Sequence, residues 1–209
     1  MVTRILSALV LGPVFIIAIM FFKILFYILM LLITIGMLYE WYKMTKTSIL
    51  YMLLGFIIVP IAPISLTIIA SKDGNQWLLL LYFTIIWSVD SFAMIGGKSI
   101  GGPKLAPIIS PRKTWSGLII GVLGAAISGF LLSLIPGFNV QFNCKTHLII
   151  AVIFLALIAQ MSDLFISCFK RKFAIKDSGA IIPGHGGVLD RFDSIILTAP
   201  LLLTYYELF

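Results

Sequence analysis

"LIIAVIFLALIAQMSDLFISCFKRK", residues 148–172, decides what kind of protein this is. From Leu148 to Ala159 no side chain can hydrogen-bond, and the apolar character persists until three consecutive cations, Lys170, Arg171 and Lys172. A helix of roughly 20 such residues, rising about 1.5 Å per residue, crosses the hydrocarbon of a bilayer. The polar interruptions fall in a pattern. Gln160 and Ser167 stand at i−3 and i+4 from Asp163, so a helix brings all three to about one face. A carboxylate at membrane depth costs about 2.5–3.5 kcal/mol on insertion scales, so this stripe is expected to face a bundle interior rather than lipid.

The rest of the chain agrees. Its 209 residues are 61% hydrophobic and only 11% charged, against about a quarter charged in soluble domains, which excludes the soluble globular class. Apolar runs of spanning length lie at about 5–22, 24–42, 49–70, 77–96, 116–136, 147–169 and, shortest of all, 193–209. They predict an all-α polytopic membrane protein of about seven transmembrane helices, in a range of six to eight. Pro60 and Pro63 leave 49–70 open as one kinked helix or two segments. No polar linker divides the chain, so residues 1–209 are expected to form one membrane domain.

Lysine and arginine set the orientation. If each run crosses once and the stretches 97–115 and 170–192 face the cytoplasm, the N-terminus lies inside. Arg4, Lys43, Lys46, Lys98, Lys104, Arg112, Lys113, Lys170, Arg171, Lys172, Lys176 and Arg191 then lie inside, and only Lys23, Lys72 and Lys145 outside. That bias is the positive-inside rule. No small-residue cleavage site follows the first run, so it is expected to stay as a helix rather than leave as a signal peptide. Cys144 and Cys168 fall near opposite faces, and no disulfide is expected between them.

Two polar stretches remain. The first is "VDSFAMIGGKSIGGPKLAPIISPRKTWSG", residues 89–117, in which Asp90 precedes a helix end expected at Gly96–Gly97. An intramembrane acid is a functional candidate by default, although a basic neighbour could also account for it. "GGKS" is not a P-loop, because the pattern wants glycine five positions before Gly97 and Phe92 stands there. Gly96, Gly97, Gly101 and Gly102, set among Lys98, Lys104, Arg112, Lys113, Ser110 and Thr114, point instead to a phosphate-binding segment.

The second is "KDSGAIIPGHGGVLDRFDS", residues 176–194, which holds Asp177, Asp190 and Asp193 out of only eight acids. A helix there would put Asp190 and Asp193 on one side. Hard oxygen acids beside clustered cations suit Mg²⁺, which keeps waters and leans on one or two carboxylates plus substrate phosphate. No Cys/His cluster favours a softer metal. His185 could turn the chain or touch phosphate, Asp177 could pair with Lys176 or Arg171, and Arg191 could hold its neighbouring acids.

Taken together these residues resemble a known family. Ser167-x-x-Lys170-Arg171, Lys176-Asp177-x-Gly179 and Ile182-Pro183-x-His185-Gly186-Gly187-x-x-Asp190-Arg191-Phe192-Asp193 are similar, with every spacing kept, to the signature of phosphatidate cytidylyltransferase (CDP-diacylglycerol synthase). Upstream, Asp90, Ala93, Gly97-Lys98, Gly101, Lys104-Leu105-Ala106-Pro107 and Ser110-Pro111-x-Lys113-Thr114 resemble the family's other block, which places the catalytic motif region at 85–194. Met94, Ser116 and Ile166 depart from the family, which often has an aromatic, a Glu and a Glu there.

The resemblance implies transfer of CMP from CTP to phosphatidate, giving CDP-diacylglycerol and pyrophosphate, at the cytoplasmic face of a bacterial plasma membrane. It implies Mg²⁺ on Asp163 and Asp190, with Asp193 as a further ligand, Mn²⁺ as a substitute and room for an added monovalent cation. Lys113, Ser110 and Thr114 would take CTP phosphates, and Lys170 and Arg171 the lipid phosphate. Asp90, Lys98, Lys104, Ser167, Lys176, His185, Gly186, Gly187 and Arg191 complete the expected substrate contacts. No nucleic-acid partner is expected, and a homodimer stays open. A CTP-dependent polyprenol- or phytol-type lipid kinase is the nearest rival, and an ion-coupled transporter using Asp90 and Asp163 a more distant one.

Overall fold

The computed structural model describes residues 2–138, 140, 145–181 and 186–208, with side chains from residue 12 onward except at 145. His185 and Cys144 therefore lie outside the described residues. The helices are α1 (Val2–Phe21), α2 (Lys23–Thr45), α3 (Ile49–Ser71), α4 (Gln76–Ser99), α5 (Trp115–Leu132), α6 (Lys145–Lys172), α7 (Leu189–Phe192) and α8 (Ile195–Leu208), with a short β1 (Lys104–Ala106) and β2 (Ser110–Thr114). Among the described residues, five of them, α2 to α6, are long and apolar enough to cross a membrane. The protein is an integral, mostly helical membrane protein.

Every expected segment becomes a helix, with corrections at the edges. The run at 49–70 is a single helix despite Pro60 and Pro63, as neighbouring helices and local side chains allow in a membrane. The last run gives only 14 residues in α8, about 21 Å of helix, which is short of a bilayer's roughly 30 Å. α5 stops at Leu132 rather than near 136, because Pro136 cannot extend it and Gly137 takes a left-handed φ of 90°.

The stretch expected to be a loop from 97 to 115 is more ordered than that. α4 runs through Gly96 and Gly97 to Ser99. Gly101 and Gly102, at φ 68° and 98°, then turn the chain into an antiparallel hairpin that pairs Lys104 with Thr114 and Ala106 with Ser110.

The chain forms two compact units, residues 1–76 with 169–209, and residues 77–168. In the first, α2 packs on α1 and α3, and α3 on α8, around buried Phe26, Met37, Trp41 and Leu66. A side chain at Gly55 would overlap the Trp41 indole, whose N–H donates to the Tyr51 carbonyl at 2.9 Å. In the second, α5 lays Gly117, Gly121 and Gly124 against α4, facing the Ala93 carbonyl, the Val89 carbonyl and the Phe92 ring. Small residues let membrane helices approach closely where lipid supplies no hydrophobic drive to associate.

Candidate active site

Within residues 77–168, Asp90, Lys113, Gln160, Asp163 and Ser167 form one connected chain. Lys113, carried by β2, pairs with Asp163 Oδ2 on α6 at 2.7 Å and donates to Gln160 Oε1 at 2.9 Å. The other end of that amide donates to Asp90 Oδ1 on α4 at 3.0 Å. Ser167, one turn beyond Asp163, donates to Asp163 Oδ1 at 3.2 Å. The stripe of Gln160, Asp163 and Ser167 thus meets the hairpin and α4 rather than lipid. It gives an intramembrane acid a cation within reach, and the group remains partly open, with the Lys113 and Asp163 side chains 17% and 24% exposed.

The neighbouring hydroxyls secure the hairpin. Thr114 is buried and its oxygen accepts from Gly117 N at 3.1 Å, capping the start of α5. Ser116 lies 3.0 Å from the Thr114 hydroxyl and donates to the Gly101 carbonyl, so the residue that departs from the family's Glu ties the turn to the helix. Lys98, Lys104 and Arg112 are exposed around this segment, while Ser110 is half-buried. Met94 is exposed on α4, and Ile166 is fully buried on α6.

A second polar group lies within residues 1–76 and 169–209. Lys170, at the end of α6, meets Asp190 Oδ1 at 2.8 Å and Asp193 Oδ2 at 3.7 Å, all three side chains being less than 10% exposed. α7 begins at Leu189 and ends at Phe192, so one side of that short turn carries both acids to one ammonium. Asp190 Oδ2 also accepts backbone N–H bonds from Ser178 at 2.8 Å and Gly187 at 3.2 Å. Burial opposes the charge on Asp190, but Lys170 and the Ser178 donors outweigh it and hold the carboxyl below its ordinary range.

Other expected contacts lie further out. Arg171 donates to the Ile175 carbonyl at 3.0 Å, and Lys176, Asp177 and Arg191 are exposed. Gly186 turns the chain with a φ of 87° just before Asp190's loop closes. Among the described residues no three His, Cys, Asp or Glu side chains group closely enough to enclose a metal alone. Magnesium does not require that, since one or two carboxylates suffice when substrate phosphates and water complete the shell. The hard oxygens of Asp163, and of Asp190 with Asp193, fit such a partial site.

Glu40 is not among the residues the sequence singles out. It lies on α2, fully buried, and both of its oxygens hold the loop that carries Asp190. The signal was available, because an acid inside the apolar run 24–42 meets the same criterion as Asp90 and Asp163.

Comparison with known proteins places the chain. The sequence profile described as the cytidylyltransferase family matches residues 45–209. The phosphatidate cytidylyltransferase of Rickettsia felis is 64% identical over 202 residues, covering 95% of this chain and 89% of that protein. That of Rickettsia bellii is also 64% identical, over 203 residues, with 95% and 87% covered. A more distant phosphatidate cytidylyltransferase, from Staphylococcus haemolyticus, is 42% identical over 134 residues, or 64% of this chain and 50% of its own. By class the protein is an integral membrane nucleotidyltransferase. The chain belongs to the cytidylyltransferase family.

Proposed function

We propose that the protein transfers the CMP group of CTP to phosphatidate, leaving CDP-diacylglycerol in the membrane and releasing pyrophosphate. Family membership and the names of its relatives support this. The observation that carries it at the level of chemistry is the pairing of an acid with a lysine twice along one membrane helix. Asp163 with Lys113 and Lys170 with Asp190 gather ionised groups where apolar helices would otherwise exclude them.

Both substrates are polyanions, one reaching the protein from water and the other held in a leaflet. A phosphatidate oxygen attacks the α-phosphorus of CTP, and the bond from that phosphorus to the bridging oxygen of the pyrophosphate breaks. The nucleophile is already anionic at neutral pH, so alignment and neutralisation of charge, rather than a strong base, limit the reaction. Lys113, Ser110 and Thr114 serve the CTP phosphates, and Lys170 and Arg171 the lipid phosphate. Asp163 and Asp190, with Asp193 as a further ligand, are the residues that would hold Mg²⁺, with Mn²⁺ as substitute and an added monovalent cation as a further occupant. Such an ion supplies charge neutralisation at the transferring phosphoryl group. The clustered cations argue for a site on the cytoplasmic face, and the bacterial relatives for a plasma membrane.

Purified protein with CTP and phosphatidate, assayed with and without Mg²⁺, tests the proposal. Pyrophosphate and CDP-diacylglycerol are the expected products. CDP and a phosphorylated lipid would assign the protein to CTP-dependent lipid kinases instead.

A further inference from the structure

We infer that Glu40 is a positioning residue for the loop that carries Asp190. The inference rests on the reading that this loop is catalytic. Glu40 belongs to α2, a membrane helix, and precedes the span matched by the family profile, which begins at residue 45. It is 0% exposed. Oε1 accepts from Val188 N at 3.0 Å, and Oε2 accepts from the Ser178 hydroxyl at 2.8 Å and from Leu189 N at 2.9 Å. Each of its two oxygens thus accepts from a backbone N–H, a group that can only donate.

Asp190 grips the same two places from the loop's own side. Ser178 gives its hydroxyl to Glu40 and its backbone N–H to Asp190 Oδ2, which also takes Gly187 N–H. Two carboxylates, one fixed to a membrane helix and one on α7, thus fasten residue 178 to residues 187–189. Two glycines of this loop follow from that arrangement. A Cβ on Gly179 or Gly187 would intrude on the Glu40 carboxylate, and one on Gly187 would also collide with the Ser178 hydroxyl. At these two positions the carboxylate lies so close to the backbone that only hydrogen fits as the side chain.

Simple stabilisation of α2 would not select this residue, since apolar side chains of similar volume often stabilise a buried site as well as or better than a charge. The carboxylate is instead suited to fixing backbone amides that would otherwise be unsatisfied, and through them the direction of Asp190.

Glu40→Gln tests this, because it keeps the size but must turn a donor amide towards at least one of Val188 N or Leu189 N. Kinetics, thermal melting and hydrogen–deuterium exchange are measured on the purified full chain. With one buried donor left unsatisfied, kcat should fall about 30-fold while KM for CTP stays within about threefold. Exchange in the peptide covering 176–192 should quicken, while α3 peptides exchange as before. Ser178→Ala, which removes one donor and adds none, should lower kcat by a smaller factor of about 3–10. Normal kcat in Glu40→Gln, or exchange that quickens equally in α3, overturns the inference. If Glu40→Gln does not insert, Ser178→Ala decides, and normal turnover in it overturns the inference too. A wild-type protein that releases no pyrophosphate sinks the functional reading instead, and loop exchange in the two variants still judges the role of Glu40.

Discussion

Lys113 and Asp163 lie 2.7 Å apart, one on a surface hairpin and the other inside a membrane helix. Gln160 stands beside them and passes the contact on to Asp90, so four side chains from three elements share one hydrogen-bonded path. Removing one partner of a partly buried ion pair leaves the other charge uncompensated, which costs more than the pair contributes. Here that sensitivity falls on a group proposed to meet a polyanion.

Lys113→Ala should therefore impair use of the nucleotide. Steady-state kinetics with each substrate varied in turn should give an apparent KM for CTP about tenfold higher, with that for phosphatidate within about twofold. A rise confined to the lipid would reverse the division of basic residues between the two substrates.

The ends of α6 make the topology testable. Residue 145 starts the helix, and Lys113 meets it near its other end, at Gln160 and Asp163. In a background carrying Cys144→Ser and Cys168→Ser, a membrane-impermeant thiol probe on intact cells should label Lys145→Cys and spare Lys104→Cys. Equal labelling of both would rule out the cytoplasmic placement of the hairpin.

Much of the fold could be read because runs of about 20 apolar residues have few alternatives to forming membrane helices. Asp163 could be read for a related reason, since a lone acid and its i−3 and i+4 polar neighbours mark a helix face. The hairpin could not. Its strands, Lys104–Ala106 and Ser110–Thr114, are short, contain Pro111 and have an irregular register, so no alternation betrays them. α4 overran its expected end because Gly96, usually a stop, packs its bare backbone against Ile120. Glu40 was legible as an acid in an apolar run, but its role was not, because its partners lie 138 to 149 residues further along the chain and two of its three hydrogen bonds come from backbone amides, which carry no chemical label.

Lys170 is expected to govern how Asp190 responds to pH. In the native protein the Asp190 carboxyl sits below its ordinary value of 3.8, so the stability it contributes is complete above that value and is lost only as pH falls through the lower folded one. Thermal melting should be nearly flat between about pH 7 and 5. Lys170→Met keeps the burial, the largest influence on this carboxyl, and removes the cation, so the folded carboxyl is expected to move upwards and the slope to reverse. That variant should melt lower at neutral pH and recover part of the loss on acidification. Parallel pH profiles for the two proteins would show that the ammonium does not set the charge on Asp190.

Substitution of the two acids tests the metal site directly. Asp163→Asn and Asp190→Asn preserve size, and the amide oxygen can still accept from Ser167 in one case and from Ser178 N and Gly187 N in the other. Each variant loses only its anionic oxygen and the pairing with Lys113 or Lys170. If the carboxylates hold Mg²⁺ between two polyanionic substrates, nearby lysines cannot replace it, because a metal fixes phosphate oxygens at about 2.0–2.1 Å with defined angles. Turnover should fall by several orders of magnitude in each, while insertion and purification stay normal. Asp177→Asn, at an exposed position of the same loop, should lose far less. The comparison is best made across a Mg²⁺ titration, where a weakened site shifts the half-saturating concentration upwards before it abolishes the reaction. Near-normal turnover of both asparagine variants at limiting Mg²⁺ would remove the metal from Asp163 and Asp190, and leave their lysine pairs as the reason for their charge.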